Sequence, residues 1–220
     1  MRAVVCTGGG PPDPRVKPFV SGADLVIAAD SGIRVAHDLG LTVDLLIGDL
    51  DSIAPSELQA ALAAAIAVER HRTDKDATDL ELAIDAARAR GASEVTVVGG
   101  WRGGDQRLDH LAGQLLLLTS PALAPTLINA WLGTAWLAGV HGPGTVGFCG
   151  AIGEIVTLLP TGGTALGITT TGLRYELVGD ELAVGTTRGI SNVLAQCDAT
   201  VSLASGSLLI IRPHALEGSP

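Results

Sequence analysis

The chain has 220 residues, a formal net charge of −9, a hydrophobic fraction of 47% and a mean hydropathy of +0.40. This length suits one large domain or two small ones, and it can bury a core without disulfides or structural metal ions. The negative charge argues against nucleic acid as a partner, because an acidic protein repels a polyanion.

The first part of the chain alternates short aliphatic runs with patterns of helical spacing. Strands are predicted at residues 3–6, 25–28, 45–47 and 94–98, and helices at residues 31–39, 55–67, 78–90 and 107–118. Strands that alternate with helices of this length are typical of a doubly wound, mostly parallel sheet.

The second part is rich in glycine and threonine and has no convincing helical pattern. Short strands are predicted at residues 126–128, 134–137, 155–159, 173–177, 199–205 and 208–211, a spacing typical of an antiparallel β-sandwich. We therefore expect an α/β protein with two domains. An N-terminal doubly wound, mostly parallel sheet domain at residues 1–128 precedes a C-terminal antiparallel β-sandwich domain at residues 129–220.

Two aspartates, Asp49 and Asp51, directly follow the third predicted strand in the sequence GDLDS. In open α/β sheets, ligands bind at the carboxyl ends of the strands. Residues two apart in an extended chain point the same way, so we expect these two carboxylates to converge on a cation. Oxygen ligands favour Mg²⁺ shared with the phosphates of a substrate. The alternative is an aspartate-rich turn that caps the next helix.

Further charged residues stand at the ends of other predicted strands or at the starts of the helices that follow. They are Asp30, Lys75, Asp76, Asp79, Arg107 and Asp109, the last two after a glycine-rich loop that includes residues 103–106. Helix N-termini and basic side chains bind phosphate. A single aspartate at the start of a helix is commonly only a helix cap. Acids from four segments at one sheet edge together indicate a metal–nucleotide or metal–phosphate centre. The chain has no GxxxxGK[ST] sequence, which excludes a P-loop kinase.

The number and spacing of cysteines, together with the hydropathy of the chain, indicate in which cellular compartment the protein is expected. Cys6, Cys149 and Cys197 are scattered, which argues against a disulfide framework and favours buried thiols in a reducing cytoplasm. Between residues 111 and 173 the only charged residue is Glu154, but prolines break the apolar run into pieces too short to span a membrane. We therefore expect a cytoplasmic protein without a membrane segment, and the uncharged stretch is a candidate subunit interface.

Six short motifs, in this order, resemble those of the thiamine pyrophosphokinase family. They are AADSG at residues 28–32, IGDLDS at 47–52, DKDATDLE at 74–81, RLDH at 107–110, GLRY at 172–175 and GISN at 189–192. Taken alone, GISN would be read as a simple turn between strands. The resemblance implies an α/β nucleotide-binding domain followed by a thiamine-binding β-sandwich. It also implies a homodimer whose thiamine site combines the nucleotide domain of one subunit with the sandwich of the other.

The same resemblance implies roles for individual residues. Catalytic, Mg²⁺-binding acids are expected at Asp49, Asp51 and Asp76. Nucleotide-binding residues are expected at Asp30, Lys75, Asp79, Arg107 and Asp109. Thiamine-binding residues are expected at Ser191 and Asn192.

The reaction implied is transfer of pyrophosphate from ATP to the hydroxyethyl group of thiamine, which yields thiamine diphosphate and AMP. Phosphoryl chemistry of this kind depends mainly on positioning and electrostatics, so no strong base is required. Three alternatives remain open from the residues. One is a related pyrophosphokinase acting on a hydroxymethyl pterin, and another is a nucleotide-sugar glycosyltransferase with a DxD metal site. The third is a non-catalytic nucleotide- or thiamine-binding protein of the same fold.

Overall fold

The computed structural model of the chain describes residues 1–99, 101 and 107–217. Two compact units are present. The first unit contains Met1–Leu108 and Trp131–Gly133, and the second contains Asp109–Ala130 and Thr134–Pro220. The predicted loop at residues 103–106 lies outside the described residues. The predicted boundary at residue 128 stays a prediction.

The first unit is built on a parallel sheet. Its elements are β1 (Arg2–Thr7), α1 (Lys17–Val20), β2 (Leu25–Ala29), α2 (Gly32–Leu39), β3 (Leu45–Gly48), α3 (Pro55–Ala63), β4 (Ala67–Arg70), α4 (Asp79–Ala89) and β5 (Glu94–Gly99). The strand order is β4-β3-β2-β1-β5, and every neighbouring pair is parallel. The central strands are almost wholly buried, as expected of a sheet covered on both faces. The predicted doubly wound, parallel architecture is confirmed.

Capping residues explain where the helices of this unit begin and end. The Thr78 hydroxyl accepts a hydrogen bond from the Glu81 N–H at 3.2 Å at the start of α4, as its sequence predicts. Gly40 ends α2 in the left-handed region at a φ of 69°. The helix predicted at residues 55–67 is shorter than expected, because the chain turns at Ala65, with a φ of 58°, and then enters β4.

Helix α2 packs directly against the backbone of β1 through Gly32. A Cβ atom at this position would lie 2.0 Å from the Cys6 carbonyl oxygen and 2.9 Å from the Thr7 Cα. The Gly32→Ala substitution should therefore reduce the free energy of unfolding by about 1–3 kcal/mol, because a packed backbone must move. Urea unfolding of the two proteins measures this.

The matched control is Gly147→Ala in the second unit. Its Cβ would meet its nearest neighbour at an ordinary 3.9 Å, so stability should stay within about 1 kcal/mol of the original value. Equal stabilities for Gly32→Ala and the unsubstituted protein would contradict the packing described for α2.

The second unit is built on antiparallel strands. Its elements are α5 (Leu108–Leu117, whose first residue groups with the first unit), β6 (Leu127–Leu132, whose last two residues group with the first unit), β7 (Ala135–His141), β8 (Gly144–Cys149), β9 (Ile155–Thr171), β10 (Asp180–Leu182), β11 (Asn192–Val193), β12 (Asp198–Leu203) and β13 (Ser205–Arg212). The strand order is β7-β13-β9-β12-β8, while β10 and β11 also pair with β9. The long strand β9 pairs with β13 along its first part and with β12 near its end. Side chains from these strands pack into one aliphatic core, and the predicted β-sandwich is confirmed.

Local details of this unit differ from what its sequence predicts. The segment at residues 173–177 is not a strand, because only Leu173 forms a bridge, to Leu194. Strand β8 was not predicted. Helix α5 is rich in leucine and alanine, yet none of its residues is buried.

The expectations for the cysteines and for membrane-spanning segments can be compared with the structure. Cys6 is buried, and burial raises the pKa of its thiol to about 12. Cys149 and Cys197 are exposed, so the expectation of three buried thiols holds only for the first. Among the described residues, no helix combines the length and apolar character that a membrane span requires.

Candidate active site

Three carboxylates meet at the carboxyl edge of the parallel sheet. Asp30 follows β2, Asp49 follows β3, and Asp79 is the first residue of α4. One oxygen from each lies within 4.8 Å of the others. Gly48 makes this approach possible, because a Cβ there would lie 3.1 Å from Asp79 Oδ1 and 3.2 Å from Asp30 Cβ. We call Asp30, Asp49 and Asp79 the acid cluster.

The backbone beside the acid cluster is strained. Asp30 and Leu50 both have left-handed φ angles, of 48° and 65°, a conformation that costs free energy for residues other than glycine. The turn at Leu50 breaks the extended alternation, so Asp51 is exposed instead of lying parallel to Asp49. The Asp51 N–H donates to Asp49 Oδ1 at 3.3 Å. Strain of this kind is tolerated where function requires a particular geometry.

Lys75 forms ion pairs with two members of the acid cluster. Its Nζ lies 2.8 Å from Asp79 Oδ1 and 3.3 Å from Asp49 Oδ2, and its side chain is only 15% exposed. Partial burial opposes its charge, but the two aspartates outweigh this effect and raise the pKa of Lys75. One lysine therefore faces three carboxylates, which leaves the group with an excess of negative charge when all three are ionised.

The pKa values of Asp30 and Asp49 shift in opposite directions. Burial and the nearby Asp79, Asp49 and Asp51 raise the pKa of Asp30, although the Ser52 hydroxyl donates to its Oδ2 and opposes the shift. Partial burial also acts to raise the pKa of Asp49. The Asp51 N–H and Lys75 overcome that effect and lower it. Of these two carboxylates, Asp49 is therefore the one more firmly held in its charged form.

The acid cluster has the properties of a hard-cation site. Asp30 Oδ1 is buried and has no hydrogen-bond partner among the residues that the structure describes, which is costly unless a ligand satisfies it. The three side chains offer only oxygen atoms, the donor type that Mg²⁺ prefers. The residues present therefore fit Mg²⁺.

A cleft of about 590 Å³ begins at Asp49 and follows the end of β4. It is lined by Asp49, Arg70, His71, Arg72, Thr73 and Asp74. The His71 N–H donates to the Gly48 carbonyl at 2.8 Å, which extends the β3–β4 pairing and places this segment beside the acid cluster. Two arginines beside a cation site are suited to the phosphates of a nucleotide.

The structure separates the predicted site residues into two sets. Asp30, Lys75, Asp49 and Asp79 come together as described. Asp51 and Asp76 are exposed and lie outside the acid cluster, and Arg107 and Asp109, at the start of α5, are also exposed.

Sequence reasoning missed Ser52, whose hydroxyl donates to Asp30, and the basic residues at the end of β4 and directly after it. Ser52 stands inside the GDLDS motif, so its position offered a signal. Arg70 ends strand β4, which the sequence did not predict. Because ligand sites were sought only at the ends of predicted strands, Arg70 was not identified.

The second unit contains the other predicted site residues at the turn before β11. Ser191 is exposed, has a left-handed φ of 61°, and donates its N–H to Thr157 Oγ1 at 3.1 Å. Asn192 is only 8% exposed. Its Nδ2 donates to the Tyr175 carbonyl at 2.7 Å, and its Oδ1 accepts from the Tyr175 N–H at 3.1 Å. The polar atoms of Asn192 are therefore engaged within the protein.

Comparisons with known proteins match both units. A family model described as "Thiamin pyrophosphokinase, catalytic domain" matches residues 16–128, and "Thiamin pyrophosphokinase, vitamin B1 binding domain" matches residues 149–208. The thiamine pyrophosphokinase of Bacillus subtilis is 28% identical over 215 residues, which cover 96% of this chain and 99% of that protein.

Solved structures agree with these matches. The crystal structure of the Bacillus subtilis thiamine pyrophosphokinase superimposes with a TM-score of 0.80 at 26% identity, covering 96% of this chain and 98% of that one. The thiamin pyrophosphokinase of Geobacillus thermodenitrificans gives a TM-score of 0.78 at 28% identity, with coverage of 96% and 97%.

Proposed function

Because the chain belongs to the thiamin pyrophosphokinase family, we propose that it transfers the pyrophosphoryl group of ATP to the hydroxyethyl group of thiamine. The products are thiamine diphosphate and AMP. The observation that carries this proposal is the acid cluster around Lys75, next to a cleft with basic residues. The match to a vitamin B1 binding domain favours thiamine over a pterin as acceptor.

Mg²⁺ is the proposed cofactor, held by Asp30, Asp49 and Asp79. When bound, it would neutralise charge on the phosphate oxygens and act as a Lewis acid. Asp51 remains a candidate ligand, because it lies near enough to Asp30 to raise the pKa of that residue. Asp76 remains a candidate from its motif alone.

The phosphates of ATP are proposed to bind along the cleft. Arg70 offers a guanidinium there, and Lys75 is poised to exchange a carboxylate for a phosphate oxygen. The thiamine hydroxyl oxygen forms a bond to the β-phosphorus, and the bond from that phosphorus to the oxygen bridging to the α-phosphorus breaks. AMP leaves with the bridging oxygen, and the hydroxyl proton passes to a carboxylate, for which Asp49 and Asp76 are the candidates. Arg107 and Asp109 remain proposed nucleotide-binding residues.

Thiamine is proposed to bind at the turn that contains Ser191 and Asn192. This turn lies inside the region that matches the vitamin B1 binding domain, and Ser191 is exposed there in a strained conformation. We accordingly propose residue 128 as the functional boundary between a nucleotide-binding and a thiamine-binding part. We also propose a cytoplasmic location, because all three cysteines are free thiols.

We propose that the protein is a homodimer with its active site at the subunit interface, and helix α5 supports an interface. Leu108, Ala112 and Leu116 form an i, i+4, i+8 row of exposed apolar residues. Sedimentation velocity should show a dimer, and Leu116→Lys should weaken it at least about tenfold because a charge would be buried unpaired.

Leu62→Lys is the control for the dimer prediction. Leu62 is similarly exposed, at 56% against 62% for Leu116, but it lies on α3. The Leu62→Lys variant should therefore remain a dimer. A monomer at working concentration for the unsubstituted protein would contradict the proposal.

The proposed reaction is tested by omission. Purified protein is incubated with ATP, Mg²⁺ and thiamine, and AMP and thiamine diphosphate are measured by chromatography, with each component left out in turn. Equal amounts of the two products, formed only when all components are present, are expected. ADP in place of AMP would overturn the proposal, and so would AMP formation without thiamine. Binding of thiamine and ATP without turnover would instead support a non-catalytic binding protein.

A further inference from the structure

We propose that Arg34 is a positioning residue for the acid cluster and that it acts on Asp30 through Ser52. Glu57 holds the Arg34 guanidinium in place for this purpose, and we call Arg34 and Glu57 the α2–α3 clamp. The inference rests on the proposed function, because it gives the clamp a role in binding the Mg²⁺ that accompanies ATP.

Arg34 and Glu57 form a two-point ion pair between the first turns of α2 and α3. Arg34 Nε lies 2.7 Å from Glu57 Oε1, and Arg34 Nη2 lies 2.6 Å from Glu57 Oε2. The hydrogen bonds that Glu57 accepts from Arg34 and from the Ala54 N–H lower the pKa of Glu57 to about 2. Both partners therefore stay charged at neutral pH, and the planar guanidinium keeps one orientation.

The α2–α3 clamp also binds the backbone of the loop at residues 49–54, which joins β3 to α3. Arg34 Nη2 donates to the Ser52 carbonyl at 3.2 Å, and the Ala54 N–H donates to Glu57 Oε2 at 2.9 Å. The second half of the loop is thus held by one residue from each helix. Such support is needed because Leu50, in the first half, has a strained left-handed φ of 65°.

Ser52 is held in two directions by the start of α2. Its carbonyl accepts from Arg34, which lies in the first turn of that helix, and its hydroxyl donates to Oδ2 of Asp30, which stands two residues before the helix. Asp30, the first turn of α2, Arg34 and Ser52 therefore form a closed ring of contacts. This ring fixes the position of the Ser52 hydroxyl relative to the Asp30 carboxylate.

The Ser52 hydroxyl determines which Asp30 oxygen is open to a cation. It engages Oδ2, whereas Oδ1 is buried and has no hydrogen-bond partner among the residues that the structure describes. A carboxylate that is hydrogen-bonded through one oxygen presents the other in a constant direction, as is usual for carboxylates that ligate metals. Loss of Arg34 would release the Ser52 carbonyl, and the hydroxyl would then hold Asp30 less firmly. Cation binding would weaken although no ligand is removed.

Stability alone does not account for the α2–α3 clamp. The Arg34 side chain is 51% exposed and the Glu57 side chain is 30% exposed, and ion pairs this exposed contribute little to the free energy of unfolding. The two-point geometry and the additional bond to the loop provide orientation instead. A positioning role therefore predicts a clear effect on cation binding and a small effect on stability.

The test measures Mn²⁺ binding by electron paramagnetic resonance in the absence of ATP and thiamine. Ser52→Ala removes a direct partner of Asp30 and should weaken Mn²⁺ binding about 10- to 100-fold. Arg34→Met acts one contact further out and should weaken it about 3- to 10-fold, while the urea midpoint moves by less than about 0.5 M. Because Arg34 acts through Ser52, adding Arg34→Met to Ser52→Ala should weaken binding by less than about twofold more.

Enzyme kinetics and a control variant complete the test. Arg34→Met should raise the KM for Mg·ATP about 3- to 10-fold, while the KM for thiamine changes by less than about twofold. Glu57→Gln should change Mn²⁺ binding and the KM for Mg·ATP in the same direction, because it removes the charge that holds the guanidinium. Arg88→Met is the control, since Arg88 forms an ion pair with Asp85 at 3.1 Å in the last turn of α4. It should leave Mn²⁺ binding and both KM values unchanged.

Normal Mn²⁺ affinity in both Arg34→Met and Glu57→Gln would overturn the inference. Equal weakening by Arg34→Met in the presence and absence of Ser52→Ala would overturn it as well, since Arg34 would then act by another route. A fall in the urea midpoint of more than about 2 M for Arg34→Met would indicate a purely structural role. Weakened Mn²⁺ binding in Arg34→Met, together with no AMP formation by the unsubstituted protein, would support the positioning role and contradict only the proposed reaction.

Discussion

Replacing Asp49 with asparagine should lower the rate of thiamine-dependent AMP formation by more than ~100-fold while the protein remains folded. The loss should exceed the 10- to 100-fold cost typical of an outer partner of a metal ligand, because Asp49 is a direct member of the acid cluster. The substitution nearly preserves the shape of the side chain but removes the charge that Lys75 and the Asp51 N–H stabilise. Lys75 would then pair with Asp79 alone.

A metal-binding measurement and a control variant accompany the activity assay of Asp49→Asn. Binding of Mn²⁺, followed by electron paramagnetic resonance, should weaken in Asp49→Asn together with activity. Asp85→Asn is the control, because Asp85 is a 57% exposed residue of α4 that pairs with Arg88 and should keep activity within about twofold. Near-normal activity and Mn²⁺ binding in Asp49→Asn would remove this residue from the site.

Replacing Glu154 with glutamine should reduce the free energy of unfolding by about 3–5 kcal/mol. Glu154 and Arg212 form a two-point ion pair at 2.7 and 2.9 Å, and their side chains are only 4% and 7% exposed. The neutral amide would leave the guanidinium buried between Trp136 and Phe148 without a countercharge. Urea unfolding measures the change.

Removal of both charges provides the control for this pair. The double variant Glu154→Met with Arg212→Met should be more stable than Glu154→Gln, because no buried charge remains unpaired. A loss below about 1 kcal/mol for Glu154→Gln would show that water reaches the pair.

The general position of the acid cluster could be predicted from the sequence, because acids at the ends of parallel strands must meet at one edge. The membership of the cluster could not. The expectation that Asp49 and Asp51 converge assumes an extended chain, and the left-handed turn at Leu50 removes that condition. Asp79 joins the cluster because α4 begins at that residue and Gly48 leaves room for it.

Longer-range pairings in the second unit were less accessible to sequence reasoning. Glu154 stands out as the only charged residue in a long uncharged stretch, but its partner Arg212 is 58 positions away. Residues 173–177 have the alternation of a strand, yet their backbone groups bind Asn192, Val193 and Thr170 instead of forming a regular ladder. Such pairings depend on side chains that fold topology brings together, which local patterns do not encode.

The most direct test of the central claim follows the phosphorus atoms of ATP. Two reactions are run with Mg²⁺ and thiamine, one with ATP labelled at the γ-phosphate and one with ATP labelled at the α-phosphate. Transfer of a pyrophosphoryl group predicts that the γ label appears in thiamine diphosphate and the α label remains in AMP. Appearance of the γ label in thiamine monophosphate with ADP as the other product, or no thiamine-dependent transfer of label, would contradict the account.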